Sequence, residues 1–131
     1  MKTTLLLYWL ILSAPTTPQD RVNTCFQLFL CEETEITSAI ILFETGYLKC
    51  YQSKILCSQK RNNLFGFMLH NQYLAFDNYA ESVKYYRRWQ IRHWHRFKRK
   101  YPQKNYYDFL KWRGYCNNMN QYISIIKQIK K

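Results

Sequence analysis

Apolar residues recur at helical spacing along most of this chain, and the pattern predicts a mostly α-helical protein. Between Thr34 and Gly46 the apolar positions follow the i, i+3, i+4, i+7 spacing of a buried helical stripe: Ile36, Ala39, Ile40 and Phe43. Thr34 suits the N-cap of this helix, and Gly46 suits the left-handed residue that ends it. Glu44 falls at the edge of the stripe, and we therefore expect its carboxyl to be partly buried.

A longer helical pattern starts at Asn78 and ends near Lys100, because Pro102 restricts the residue before it. One side of this predicted helix faces the core: Ala80, Val83, Tyr86, Gln90, Trp94 and Phe97. Another side carries basic residues four positions apart: Lys84, Arg88, Arg92, Arg96 and Lys100. The helix is thus predicted to pack through one face and to present a positive ridge on another.

Two further helices are predicted to close the core. Asn105 and Asp108 have the spacing of a capping box, and Gly114 suits the end of the helix that they begin. A last amphipathic helix starts near Asn118 or Asn120, and its apolar face is Tyr122, Ile125, Ile126 and Ile129.

The middle of the chain predicts a tight turn and a small β-hairpin. In residues 62–66 the asparagines can cap backbone groups, Gly66 permits a sharp bend, and the two apolar residues fill the core. Residues 67–76 can form a hairpin with His70 and Asn71 at its tip and Tyr73 facing a cleft. The fold class is therefore mostly α, with at most a small β element.

The N-terminus has the layout of a secretory signal peptide, because Lys2 precedes an apolar run over residues 5–12 and then Ser13 and Ala14. Such a run is much shorter than the roughly 20 residues that span a bilayer as a helix. We expect residues 1–20 to be a signal peptide and linker, with the linker over residues 15–21, and residues 21–131 to form one domain. The protein would then be exported to the periplasm, the cell envelope or the medium. The alternative is a hydrophobic N-terminal element.

The formal net charge of +12 indicates an anionic partner or setting, such as a wall polymer, acidic lipid headgroups or nucleic acid. Residues 87–96 interleave basic and aromatic side chains, as nucleic-acid binders do. Zinc-finger spacing, an RNP sequence and a helix-turn-helix pattern are all missing from the sequence, so nucleic acid is disfavoured. The alternative for this basic face is a solvated surface.

The five cysteines form an odd set: Cys25, Cys31, Cys50, Cys57 and Cys116. Cys25 with Cys31, or Cys50 with Cys57, are candidate local disulfide pairs if the protein is exported. Their spacing lacks the C-x-x-C form, and the histidines supply no matching pair, so the sequence predicts no metal site.

Glu44 is the strongest candidate for chemistry. A carboxyl beside aliphatic and aromatic side chains has its charged form disfavoured by desolvation, which raises its pKa. Such a group can donate a proton near neutral pH, as the general acid of a glycosidase does. The alternative is a surface glutamate on the last turn of an ordinary helix.

Four segments carry a more specific signal in their order along the chain: residues 39–46, residues 62–66, residues 76–83, and Gly114-Tyr115-Cys116 with Tyr122 beyond. They resemble the "A-I-L-E-[ST]-G", "N-N-L-F-G", "F-D-x-[WY]-x-E-S-V" and "G-Y-A…N-Y" motifs of the peptidoglycan N-acetylglucosaminidase domain, glycoside hydrolase family 73. The resemblance covers roughly residues 32–129. It implies a lysozyme-like helical domain with a small, shortened β-lobe, which cleaves the β-1,4 glycan of peptidoglycan without a metal or organic cofactor.

The same resemblance implies roles for particular residues. Catalytic roles fall to Glu44, Asp77 and Tyr115, and substrate contacts to Tyr73, Asn63, Phe65 and Tyr47. Cys116 stands where the family motif has Ala, which is a small-for-small change. For Tyr115 the alternative is a side chain that anchors a turn through its hydroxyl.

The sequence departs from the family at the second catalytic acid. Many members of the family draw this acid from the middle lobe, which corresponds here to residues 46–77. No Asp or Glu lies between Glu44 and Asp77. Either Asp77 or Glu81 takes that part, or the 2-acetamido group of the sugar acts as an internal nucleophile. For Asp77 the alternative is helix capping together with Asn78 and Glu81.

Two other classes of function remain open. The missing middle-lobe acid suits a catalytically inactive wall-binding module, and the basic helix suits a cationic membrane- or nucleic-acid-binding protein. The partner expected first is the peptidoglycan glycan strand, with contact to an anionic wall polymer or a membrane surface through the basic helix.

Overall fold

A computed structural model describes residues 17–45, 61–114 and 117–130. Within them the elements in chain order are α1 (Pro18–Leu28), α2 (Thr34–Thr45), β1 (Met68–Leu69), β2 (Gln72–Tyr73), α3 (Tyr79–Trp89), a π-helical segment (Gln90–Trp94), α4 (His95–Lys100), α5 (Tyr106–Arg113) and α6 (Met119–Lys130). The fold is mostly α with one small hairpin, which confirms the predicted fold class. In this part of the chain no helix has the length and apolar character needed to cross a bilayer.

Helix α1 begins at Pro18, inside the segment predicted to be a linker. Thr17 and Asp20 form a capping box: the Thr17 hydroxyl accepts from the Asp20 N–H at 3.1 Å, and the Thr17 N–H donates to the Asp20 carboxylate at 3.3 Å. Residues 18–21 are therefore helical, which corrects the linker assignment for them. The residues Thr17, Pro18 and Asp20 have the spacing of a capped helix start, and this signal in the sequence was missed.

Helix α2 follows the predicted stripe with two differences. Ile36, Ala39 and Ile40 are buried as expected, and Ile41 is buried beside them. Phe43 is 37% exposed, and its ring lies edge-on to Tyr122 of α6 at 5.2 Å. Helix α6 packs along α2 more extensively than on any other described element, which widens the buried face of α2. Thr34, the predicted N-cap, is instead the first residue of the helix, so the helix begins one position earlier than predicted.

Helix α3, the π-helical segment and α4 form one continuous helix that ends at Lys100, as predicted. All six residues assigned to its inner face are buried: Ala80, Val83, Tyr86, Gln90, Trp94 and Phe97. In a regular α-helix two steps of four residues would rotate Trp94 about 80° away from Tyr86. The wider turns of the π-helical segment reduce that rotation and keep both rings in the core.

The closing helices form as predicted. Asn105 caps α5 in a box with Asp108, and Gly114 ends it with a left-handed φ of 68°. The Asn118 side chain accepts from the Gln121 N–H at 3.3 Å at the start of α6. The apolar face of α5 joins the inner face of the long helix in an aromatic cluster: Tyr106, Phe109, Trp94 and Phe97.

Cys25 and Cys31 are free thiols, so the first of the two candidate disulfide pairs is not formed. Cys25 lies in the core, where burial raises the pKa of its thiol to about 11, and burial raises that of Cys31 to about 12. Cys50, Cys57 and Cys116 lie outside the described residues. Among residues 17–45, 61–114 and 117–130, no three His, Cys, Asp or Glu side chains come together as a metal ion would require.

Candidate active site

The turn before the hairpin is held by two asparagine side chains. The Asn63 amide nitrogen donates to the backbone oxygens of Phe67 and Leu74 at 2.8 and 3.0 Å, and its oxygen accepts from the Phe67 N–H at 3.0 Å. Asn62 donates to the Phe76 backbone oxygen at 3.0 Å. Because these bonds tie the turn to both ends of the hairpin, its backbone position is fixed.

The same turn is joined to α3 through buried contacts. The Leu64 N–H donates to the Ser82 hydroxyl at 3.1 Å, and both residues are fully buried. The Phe65 ring stacks on Tyr86 with the centroids 4.0 Å apart. Ser82 belongs to the third motif, and this bond gives it a physical role, which is to receive a backbone donor of the turn. Sequence reasoning named the motif without finding that role.

Glu44 lies directly against the last residue of the turn. Gly66 adopts a left-handed φ of 66°, and a Cβ placed there would come within 2.6 Å of Glu44 Oε2. A side chain at position 66 would therefore displace the carboxyl. Glu44 of the first motif and Gly66 of the second are 22 positions apart in the sequence, and the two motifs meet at this contact.

The other oxygen of Glu44 is held by α6. The Tyr122 hydroxyl donates to Glu44 Oε1 at 3.2 Å, and Tyr122 itself is only 5% exposed. The Glu44 residue is partly buried, as predicted from its place on the helix. The carboxyl is thus oriented by a hydroxyl and a glycine while part of the residue stays open to solvent. We call Glu44, Gly66 and Tyr122 the carboxyl corner.

Two of the predicted substrate contacts need correction. Asn63 is fully buried, with its amide occupied by backbone groups, and Phe65 is buried against Tyr86. Both residues shape the turn that carries Gly66, and neither presents its side chain to a sugar. Tyr73 is half-buried in β2, opposite Met68 in the hairpin. His70 and Asn71 form the hairpin tip with positive φ angles, as predicted.

Asp77 is exposed and immediately precedes the N-cap of α3. The cap itself is Asn78, whose side-chain oxygen accepts from the Glu81 N–H at 2.9 Å. Capping therefore does not require the Asp77 carboxyl. Tyr115 and Tyr47, which the resemblance placed at the active site, lie outside the described residues, as does Gly46.

Comparisons with protein-family models, with curated proteins and with solved structures each gave no match to this chain. The functional interpretation therefore depends on the motifs and on the contacts between them.

Proposed function

We propose that this protein is a peptidoglycan hydrolase that cleaves the β-1,4 glycan strand, with Glu44 as the general acid. The observation that carries the proposal is the contact between Glu44 and Gly66. It joins the acid of one motif to the glycine of another, and it orients the carboxyl of a residue that is only partly buried. A proton donor of a glycosidase needs this combination of fixed position and access.

In this proposal the two oxygens of Glu44 have separate tasks. Oε1 accepts the Tyr122 hydroxyl, and Oε2 would carry the proton that is donated. Donation of that proton to the glycosidic oxygen would break the bond as the oxocarbenium-like centre develops at the sugar. The tight approach of Gly66 would keep Oε2 from rotating away during this step.

The second step of the reaction has two candidate routes. Asp77 is exposed and could act as the second carboxylate. Alternatively, the 2-acetamido oxygen of the substrate would attack the anomeric carbon, and water would then open the cyclic intermediate. The absence of any acid between Glu44 and Asp77 in the sequence favours the substrate-assisted route.

The test is the Glu44→Gln variant, assayed for new reducing ends released from bacterial sacculi. We expect release to fall by at least about 100-fold, since general acid catalysis contributes about 10²–10⁴-fold. The melting temperature should stay within a few degrees of the parent. Glu35→Gln is the matched control, because that glutamate is exposed and, within the described part of the chain, pairs with the surface side chain of Lys130.

Full release by Glu44→Gln would remove Glu44 from the proposed role. Sacculus binding by the parent protein with no release would instead favour the inactive wall-binding module. In the same assay Asp77→Asn separates the two routes: a large loss supports Asp77 as the second acid, and near-normal turnover supports assistance by the acetamido group. Mass spectrometry of products from defined muropeptides identifies the sugar at the new reducing end, and hence the bond that is cut.

A further inference from the structure

A groove of about 410 Å³ lies beside the hairpin. Three parts of the chain supply its walls: the hairpin and the residue before it, the long helix, and the end of α5. The lining residues are Phe67, Met68, Tyr85, Arg88, Trp89, Arg92, His93 and Arg113. We call it the arginine groove.

The arginine groove carries positive charge that the described residues do not neutralise. Arg88, Arg92 and Arg113 are exposed and form no ion pair with a carboxylate in residues 17–45, 61–114 or 117–130. Their neighbour Arg87 differs, because it donates to Glu32 at 3.1 Å. The lining includes no Asp or Glu. Three guanidinium groups therefore converge on a space that an anion would fill.

The pKa of His93 is affected by the positive charge of the arginine groove. Burial, followed by the nearby charges of Arg113, Arg92 and Arg96, lowers the pKa of the imidazole. The ring is consequently neutral at pH 7, and it can hydrogen-bond a ligand without adding charge.

The floor of the arginine groove is aromatic. The Phe67 ring lies 4.9 Å from Tyr85 and 6.1 Å from Trp89, measured between centroids, and Trp89 lies 5.7 Å from His93. An apolar floor with a few convergent polar groups is the usual make-up of a ligand site. The groove is thus suited to a ligand that has both an apolar face and a negative charge.

The arginine groove adjoins the carboxyl corner along the chain. Gly66 touches Glu44, and Phe67, the next residue, lines the groove. A glycan strand that extends from Glu44 past this turn would meet the guanidinium groups of the groove. On the proposed substrate, the lactyl ether on alternate sugars carries a stem peptide with free carboxylates, which match the fork geometry of arginine.

We propose that the arginine groove binds a stem-peptide carboxylate of the same glycan strand that Glu44 cleaves. This inference rests on the proposed function, because the choice of ligand follows from that substrate. Electrostatic attraction to the groove would then select strands that still carry peptides over strands from which the peptides have been removed.

The test is calorimetric titration of the full-length Glu44→Gln protein, which should bind without cleaving. The probes are a soluble tetrasaccharide that carries stem peptides and the same tetrasaccharide after the peptides are removed. We expect the peptides to strengthen binding, and the double variant Arg92→Gln/Arg113→Gln to weaken binding of the peptide-bearing probe by about tenfold while leaving the bare probe unchanged. Arg99→Gln, an exposed arginine outside the groove, controls for a change of net charge.

Equal binding of both probes would overturn the proposal. So would an effect of Arg99→Gln as large as that of the double variant Arg92→Gln/Arg113→Gln, or a groove-dependent preference for a phosphodiester wall polymer or DNA over the peptide-bearing probe. Peptide-dependent binding by a parent protein that releases no reducing ends would support the arginine groove and remove the hydrolase function. Normal release of reducing ends combined with peptide-independent binding would support the hydrolase function and remove the arginine groove as a stem-peptide site.

Discussion

Two places in this protein hold polar groups away from water, and they do so differently. The first is the network around Gln90, which is fully buried at the start of the π-helical segment. Its side chain accepts from the Glu32 N–H at 3.1 Å and donates to the Glu32 backbone oxygen at 2.9 Å and to the Tyr106 hydroxyl at 3.2 Å. The Tyr106 hydroxyl also shares a hydrogen bond with that of Tyr86. These contacts fix the α1–α2 connection to the long helix.

The second place is the carboxyl corner. Glu44 is only partly buried, and Tyr122 and Gly66 orient its carboxyl. The comparison indicates different uses of the two sites. A closed network of neutral groups contributes to stability, because each buried donor and acceptor is satisfied within the protein. An oriented carboxyl on a partly buried residue is suited to chemistry on a bound ligand.

The substitution expected to separate these uses most strongly is Gly66→Ala. The added methyl group would meet Glu44 Oε2 at 2.6 Å and force the carboxyl or the turn to move. A displacement of about 1 Å can reduce turnover about 100-fold, so we expect reducing-end release to fall by that order. Stability should also fall, by roughly 1–2 kcal/mol, because the left-handed backbone disfavours a side chain.

Gly114→Ala is the matched control for this change. Gly114 has nearly the same φ, 68°, but none of the residues that the structure describes lies within 4 Å of the added methyl group. Gly114→Ala should show only the loss of stability that a side chain causes at a left-handed φ, and its specific activity should equal that of the parent. Equal activity in the two glycine variants would mean that the Gly66 contact does not position Glu44.

The next effect in size concerns stability alone. Gln90→Leu would leave the part-buried Glu32 N–H without its side-chain acceptor, while the Glu32 backbone oxygen would keep the Thr37 hydroxyl as a donor at 3.3 Å. An unsatisfied group costs about 1–3 kcal/mol, so we expect the free energy of unfolding to fall by about 2 kcal/mol in chemical denaturation. The folded fraction should release reducing ends at the parent rate. A large loss of specific activity at full stability would show that the network serves the site directly.

Much of the fold could be predicted because its signals are local. The six inner positions of the long helix follow from periodicity, and the capping box of Asn105 with Asp108 and the stop at Gly114 follow from adjacent residues. The start of α1 was equally local, and the capping residue Thr17 was overlooked because the segment had been assigned to a linker.

Other features could not be read from local spacing. The π-helical segment is set by the need to keep both Tyr86 and Trp94 in one core, which depends on the packing of other helices. The bond from Tyr122 to Glu44 joins residues 78 positions apart. Asn63 illustrates a second limit, since an asparagine in a turn motif has the same sequence signature whether it binds a ligand or its own backbone. The family resemblance supplied the order of the motifs, and the structure supplied the contacts.

The smallest effects come from one chemical change made at both places. Tyr122→Phe removes the hydroxyl that orients Glu44 but keeps the ring that packs against Phe43. We expect kcat to fall by about threefold to tenfold with KM nearly unchanged, because a single hydrogen bond of about 0.5–1.5 kcal/mol is lost at the proton donor.

Tyr106→Phe removes a buried hydroxyl from the Gln90 network and should lower stability by about 1–2 kcal/mol while kcat is kept. If both variants lost only stability, the carboxyl corner would be as structural as the network, and the contrast between the two sites would be wrong. A loss of kcat in Tyr122→Phe alone, measured on equally folded protein, would instead support a carboxyl whose orientation matters for turnover.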